Sequence, residues 1–413
     1  MQILRSKRVW YANGFRPADV VLGEDGKIAE VLPYGTAEKA LAERKLSAEK
    51  AATDHGKKCP ASEAENADAV VVEDFKSMRL LPGFIDVHTH GAYGYDTNDA
   101  DPEGLRMWMR RIPEEGVTAL LPTTVTQFAD ILKKAVASVA DVAESAYDGA
   151  EILGIHLEGP FFDMAYKGAQ PPEAILPASV GLFQEFQEAA RGWIKYISLA
   201  PEHDENYALT RYCAQHGVVV SMGHSGASLD QALLCVANGA TSETHVCNGM
   251  SQLLHRMPGL VGAALRIRDI YGEMICDTQH VNRDVMNIYF NTKGRDYAMM
   301  VSDSLRCKHA DPGQRFTLGG HPIHLDELGL ARLEDNTIAG STLRLNQGLK
   351  NLIETCEIPV DYAINACTIN PARCLGVDDR KGRICAGYDA DLVLLDDAYN
   401  VVQTYCRGKK MLN

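Results

Sequence analysis

Nothing in the 413 residues approaches the run of about 18 apolar residues that a membrane-spanning helix needs, so no membrane partner is expected. Positive charge is also short: 41 Lys and Arg against 55 Asp and Glu leave a net −14. A field of that sign repels polyanions, which excludes nucleic acid as a partner. The eleven cysteines are odd in number and contain no Cys-x-x-Cys pair, and Met1-Gln2-Ile3-Leu4-Arg5-Ser6-Lys7 lacks the apolar stretch of a secretory signal. A cytoplasmic protein with reduced thiols is expected. No glycine-rich dinucleotide fingerprint follows the first strand of the central region, which removes a nicotinamide or flavin fold of the doubly wound type.

What is present is the composition of a folded enzyme, 46% hydrophobic and 23% charged. Short β-like runs at Ala18-Asp19-Val20-Val21-Leu22 and residues 27–32 are separated by the turn signals Asn13-Gly14 and Asp25-Gly26. Counterparts lie at the far end, Asp391 to Leu395 and Val401 to Tyr405, so both termini are expected to build one small β-domain. Residues 36–66 are rich in Ala, Glu and Lys and read as a solvated helical or flexible insertion.

Eight apolar runs, separated by helical stretches such as Asp130–Ala143, Leu229–Asn238 and Gln347–Glu354, fill the middle of the chain. They run Gly83–His88, Thr118–Thr123, Ile152–Glu158, Ile194–Ala200, Val218–His224, Ala240–His245, Met274–Asp277 and Ala298–Asp303. Strand and helix alternating eight times predicts a closed (β/α)8 barrel, whose active site sits at the C-terminal ends of the strands. Five of the runs end in metal-capable or acid-base side chains: His88 with His90, Glu158, His224, His245 and Asp303. One histidine at a strand end is ordinarily a hydrogen-bonded surface group; convergence at one rim is what points to a site. Imidazole with carboxylate suits Zn²⁺ and similar divalent ions better than the oxygen-only shells of Ca²⁺ or Mg²⁺. His156, two residues before Glu158, is expected below the metal layer, and Lys195 sits at the wrong end of its strand to reach it.

Pro82-Gly83-Phe84-Ile85-Asp86-Val87-His88-Thr89-His90-Gly91 resembles the first-strand signature of the amidohydrolase superfamily. His156-Leu157-Glu158-Gly159-Pro160-Phe161, Gly168-Ala169-Gln170-Pro171, Gly223-His224-Ser225, Thr244 to Met250 and Ala339-Gly340-Ser341 resemble the N-acetylglucosamine-6-phosphate deacetylase family within it. The resemblance implies a TIM-like barrel of the amidohydrolase type at 81–379 and a small β-sandwich domain from residues 1–80 and 380–413. It implies hydrolysis of the N-acetyl group of N-acetyl-D-glucosamine 6-phosphate, with the galactosamine epimer or a catalytically inactive binding protein as alternatives. Glu158, His224 and His245 would hold a divalent metal, Zn²⁺ first with Fe²⁺, Co²⁺ or Mn²⁺ as alternatives, and His88 and His90 a second one. Asp303 would be the general base and acid and His280 the oxyanion donor. Ala169, Gln170, Asn248, Gly249, Ala339 and Gly340 would line the substrate site, and Arg256 would reach the phosphate of the neighbouring active site in a homodimer. Ser304-Leu305-Arg306-Cys307-Lys308 departs from the family pattern, which makes Arg306 and Lys308 candidate anion contacts.

Overall fold

Asn13-Gly14 forms the turn it signals: Ala12 and Asn13 both adopt positive φ (49° and 56°), the type I′ geometry whose twist matches the strands it joins. The chain thereby reverses from Gln2–Tyr11 into Gly14–Leu22, which pairs in turn with Ile28–Pro33. This computed structural model describes residues 1–54, 70–310 and 314–412. Among them, Val71–Asp74 and Arg79–Pro82 pair in parallel with successive parts of the first strand, either side of a bulge at Ser6/Val9. Leu392–Leu395 pairs antiparallel with Arg79–Pro82, and Val401–Cys406 and Lys409–Lys410 continue outward. The two ends of the chain are thus one eight-stranded sheet, separate from the barrel. Alternate residues Val20, Leu22, Leu80, Leu392, Leu394 and Tyr405 close its own buried cluster.

The helix Ala37–Asp54 occupies the first part of the polar insertion, and from Arg44 to Ser47 its side chains are exposed. The rest of that insertion, 55–66, lies outside the described residues. No helix among the described residues is long and apolar enough to cross a membrane.

All eight expected barrel strands are present: β1 Phe84–Thr89, β2 Val117–Thr124, β3 Ile155–Glu158, β4 Ile194–Leu199, β5 Val219–Met222, β6 Ser242–Glu243, β7 Gly272–Ile275 and β8 Ala298–Val301. Parallel pairing runs unbroken from β1 to β6 and again from β7 to β8. Two looser seams complete the ring. Val246 N–H donates to Glu273 O (2.8 Å) between β6 and β7, and Asp303 N–H to His88 O (2.9 Å) between β8 and β1. Helix Ala129–Ala143 turns Leu132, Ala135, Val136, Val139 and Ala140 inward at helical spacing. Ser228 and Gln231 form a capping box on Leu229–Ala237. The helix expected at 347–354 begins at Leu345 and changes to π-helical hydrogen bonding at Asn351–Thr355. A three-stranded antiparallel sheet after β8, Phe316–Leu318, His321–Leu325 and Ala331–Leu333, was not expected from the sequence.

An ion cluster joins the terminal sheet to the barrel. Glu151 takes Arg380 (2.7 Å) and Lys381 (2.5 Å), and Lys381, almost fully buried, also contacts Asp389 (2.9 Å) and Asp391. Burial would raise the Glu151 pKa, but bonds from Arg380 and Lys381 bring it down to about 2. A carboxyl whose folded pKa lies below its unfolded value near 4.5 stabilises the fold fully above that value, and loses the effect as pH falls towards about 2. Burial pushes Asp391 the opposite way and offsets part of this. We expect Glu151→Gln to cost roughly 2 kcal/mol at neutral pH in urea unfolding. The gap from wild type should shrink progressively between pH 5 and about pH 2; a gap independent of pH would remove the ionic explanation.

Candidate active site

His224, His245 and Asp303 each stand two residues beyond a strand, after β5, β6 and β8, and each has a left-handed backbone with φ of 47°, 28° and 47°. Such φ values are uncommon outside glycine and concentrate at functional sites. Here they turn the three side chains across the mouth of the barrel. Glu158 is the last residue of β3, and His88 and His90 leave β1 on the same side, as strand alternation requires. Six side chains from five strands meet as a result.

Glu158 is the centre. Its Oε1 lies 3.2 Å from His245 Nε2, 3.3 Å from His224 Nε2 and 3.4 Å from His88 Nε2, and its Oε2 lies 3.4 Å from His90 Nε2. Asp303 Oδ1 is 3.1 Å from His90 Nε2 and 3.5 Å from His88 Nε2. The outer nitrogens fix how the imidazoles are protonated. His88 Nδ1 faces Glu273 Oε2 (2.7 Å), His90 Nδ1 faces Thr123 O (3.2 Å) and His224 Nδ1 faces Tyr166 O (3.0 Å). Those oxygens only accept, so each Nδ1 carries a hydrogen, and Nε2 is left as the atom that would face an ion with its lone pair. His88 Nε2 is buried without a hydrogen-bond partner, and the His224 and His245 Nε2 atoms face each other at 3.1 Å.

Converging lone pairs repel unless a cation lies between them. Tetrahedral bonds of about 2.0–2.1 Å to such an ion would set its ligand atoms roughly 3.3 Å apart. The Glu158, His224 and His245 separations of 3.1–3.3 Å fit that requirement, and His88, His90 and Asp303 form an adjoining group of possible ligands. The protein's own charges respond to the crowding. Burial would discharge His88, but Glu273, Glu158 and Asp303 outweigh it and raise its pKa. Burial would likewise neutralise Glu158, yet His88 and bonds from His224 and His245 hold it well below the carboxylate range. Asp303 is kept ionised against burial by His88 and His90.

A cavity of about 340 Å³ opens above this group, lined by Gly168, Ala169, Gln170, Asn248, Gly249, His280, Thr337 and Gly340 among others. Gln170 donates to Glu158 Oε2 at 2.6 Å. Gly249 has φ +56°, and a Cβ there would come within 3.0 Å of both His224 Nδ1 and Tyr166 O, the pair that sets the His224 tautomer. His280 donates from Nδ1 to Asp277 Oδ2 (2.6 Å), leaving a buried Nε2 with no partner. Ala339, expected at the substrate, is instead buried in the small core of the three-stranded sheet, beside Leu305 and Ile323. Arg256 is on an exposed loop outside the cavity, among exposed Leu253, Leu254 and Met257.

Arg306 and Lys308 are not available to an anion. Arg306 pairs with Asp99 (2.8 Å), and the buried Lys308 pairs with Glu115 (3.0 Å). Among the described residues, the cavity lining contains neither lysine nor arginine. His156 donates to Val87 O and accepts from Ser198 Oγ (2.8 Å), neutral beneath the cluster, with its pKa far below normal through burial and the charge of His88. Lys195 is exposed at the outer side of β4. Sequence reasoning missed Glu273, whose Oε2 holds His88 and also accepts from His245 N–H (3.2 Å). Its signal was a carboxylate inside the apolar run Gly272-Glu273-Met274-Ile275, where a charge must have a partner.

Residues 79–411 match the model of the amidohydrolase family. The chain is 40% identical over 334 residues to an N-acetylglucosamine-6-phosphate deacetylase of Bacillus subtilis (strain 168), covering 80% of this chain and 83% of that protein. It is 32% identical over 340 residues to an N-acetylgalactosamine-6-phosphate deacetylase of Escherichia coli O157:H7, covering 82% and 89%. The crystal structure of N-acetyl-D-glucosamine-6-phosphate deacetylase from Mycobacterium smegmatis superimposes with a TM-score of 0.85 at 25% identity, covering all of both chains.

Proposed function

The chain belongs to the amidohydrolase family, and from that premise we propose that it hydrolyses N-acetyl-D-glucosamine 6-phosphate to D-glucosamine 6-phosphate and acetate. The observation that carries the reading is the convergence of Glu158 Oε1 with His224 Nε2 and His245 Nε2 beside an ionised Asp303, at the floor of a sugar-sized cavity. Glu158, His224 and His245 would hold the divalent ion, Zn²⁺ first with Fe²⁺, Co²⁺ or Mn²⁺ as alternatives, and His88 and His90 would hold a second. When bound, such an ion lowers the pKa of water towards about 7 and polarises the amide carbonyl.

The remaining steps fall to the side chains. Asp303, ionised, takes the proton of the attacking water and delivers it to the departing nitrogen, since an amine leaves poorly unprotonated. His280, anchored through Nδ1 to Asp277, presents Nε2 to the cavity, where it would hydrogen-bond the carbonyl oxygen as charge builds there. Gln170 orients Glu158, and Asn248, Gly249, Ala169 and Gly340 shape the sugar site.

With no lysine or arginine among the described residues that line the cavity, the 6-phosphate needs a donor from elsewhere. Arg256 of a second subunit fills that role, its exposed apolar neighbours packing in a homodimer interface of a cytoplasmic enzyme. Arg256→Ala should raise KM about 30-fold with kcat changed little, the pattern of lost binding that is uniform along the reaction. Steady-state kinetics checks this; a fall in kcat at constant KM would contradict it. The function itself is tested by acetate release from the two epimeric 6-phosphates by metal-loaded protein. Faster release from the glucosamine epimer is expected; turnover of the galactosamine epimer alone would replace the substrate, and release from neither would end the reading.

A further inference from the structure

A second cavity of about 340 Å³ lies where the terminal sheet meets the barrel. Pro82 stands two residues before β1, and Arg295 and Asp296 lie near the end of the helix leading into β8, so this cavity is at the N-terminal ends of the strands. The candidate active site is at the opposite ends. Its wall carries Arg295, Arg373 and Arg383 with a single carboxylate, Asp296. That carboxylate is shared by Arg373 (2.9 Å) and Arg295 (3.5 Å), and Arg383 makes no ion pair among the described residues. Two excess positive charges therefore face one small space, in a chain of net −14.

The neutral groups point the same way. Asn365 is 4% exposed and Trp10 is 7% exposed, yet both line the cavity, and neither the amide nor the indole N–H bonds to a described residue. Their polar atoms stay open to whatever fills the cavity, water or ligand. The wall is thus rich in donors, and its one carboxylate is already engaged. We propose that this cavity binds a phosphate monoester of a small molecule. The guanidinium forks of Arg373 and Arg383 take the phosphate oxygens, with the Asn365 amide as a further donor. Trp10, Ile369 and Ile384 line the rest of the wall, where the organic part would rest. The site is independent of the deacetylation chemistry, and its occupancy can be read without turnover.

Inorganic phosphate is the first probe, titrated into the metal-loaded full chain by calorimetry and by tryptophan fluorescence, since Trp10 is in the wall. Saturable binding is expected in wild type and in Arg256→Ala, which separates it from phosphate in the catalytic cavity. Arg383→Glu, an exposed position that leaves packing intact, should weaken binding about tenfold or more with kcat unchanged, and Arg373→Ala should weaken it as well. Glucose 6-phosphate and adenosine monophosphate then distinguish a sugar from a nucleoside as the organic part; tighter binding of either than of phosphate supports the site. No saturation in wild type, loss confined to Arg256→Ala, or wild-type binding in both Arg383→Glu and Arg373→Ala would overturn the proposal.

Discussion

Asp303→Asn should lower kcat about a thousandfold while the protein folds and retains its bound metal. The magnitude is that of removing one positioned proton carrier. The amide is isosteric and cannot take a proton from water. The backbone favours this test, because φ at Asp303 is 47° and asparagine adopts that region at least as readily as aspartate. Any loss of activity then belongs to chemistry and not to misfolding. Metal analysis with single-turnover kinetics is the check, and the acidic limb of the pH profile of kcat should flatten in the variant. Activity within tenfold of wild type would remove Asp303 as the proton carrier.

Glu158→Gln should have the larger effect, on metal content as well as rate. Glu158 contacts four imidazoles within 3.4 Å and receives the Gln170 amide at 2.6 Å. An amide at this position removes the one negative charge shared by all of them, and turning its NH₂ towards Nε2 lone pairs would block them. Bound metal is expected to fall below about a tenth of wild type, and activity by more than about a thousandfold. Buried histidines without their counter-charge should also lower the unfolding temperature of the metal-free protein. Full metal occupancy with only the rate reduced would show that Glu158 acts on substrate and not as a ligand.

The barrel was legible because most of its strands are short apolar runs, and the polar β6, only Ser242–Glu243 as a paired strand, stands out through the His245 that follows it. The candidate ligands stood out because imidazole and carboxylate are conspicuous at strand ends, and the structure brings them together. The failures share a physical cause: they depend on partners distant in the chain. Arg306 and Lys308 looked free for an anion, and their carboxylates, Asp99 and Glu115, precede them by 207 and 193 residues. Glu273 holds His88 across 185 residues. The small sheet at 316–333 has short strands with few apolar residues and gives little periodicity to read, and its core is what takes Ala339 away from the cavity. The paired roles of Asp277 and His280 illustrate the converse, since three residues of separation suffice to bring them together.

The left-handed backbone at His224, His245 and Asp303 also bears on which sequences this scaffold can explore. Among residues with a side chain, that conformation is best tolerated by asparagine, aspartate and histidine, while β-branched residues are disfavoured. Aspartate and histidine bind metals or carry protons. Mutational drift at these three positions is therefore filtered by the peptide chain before it is filtered by the reaction. The barrel rim offers few acceptable replacements, and they are drawn from a chemically capable set, so a lineage that loses this substrate remains near other hydrolytic activities.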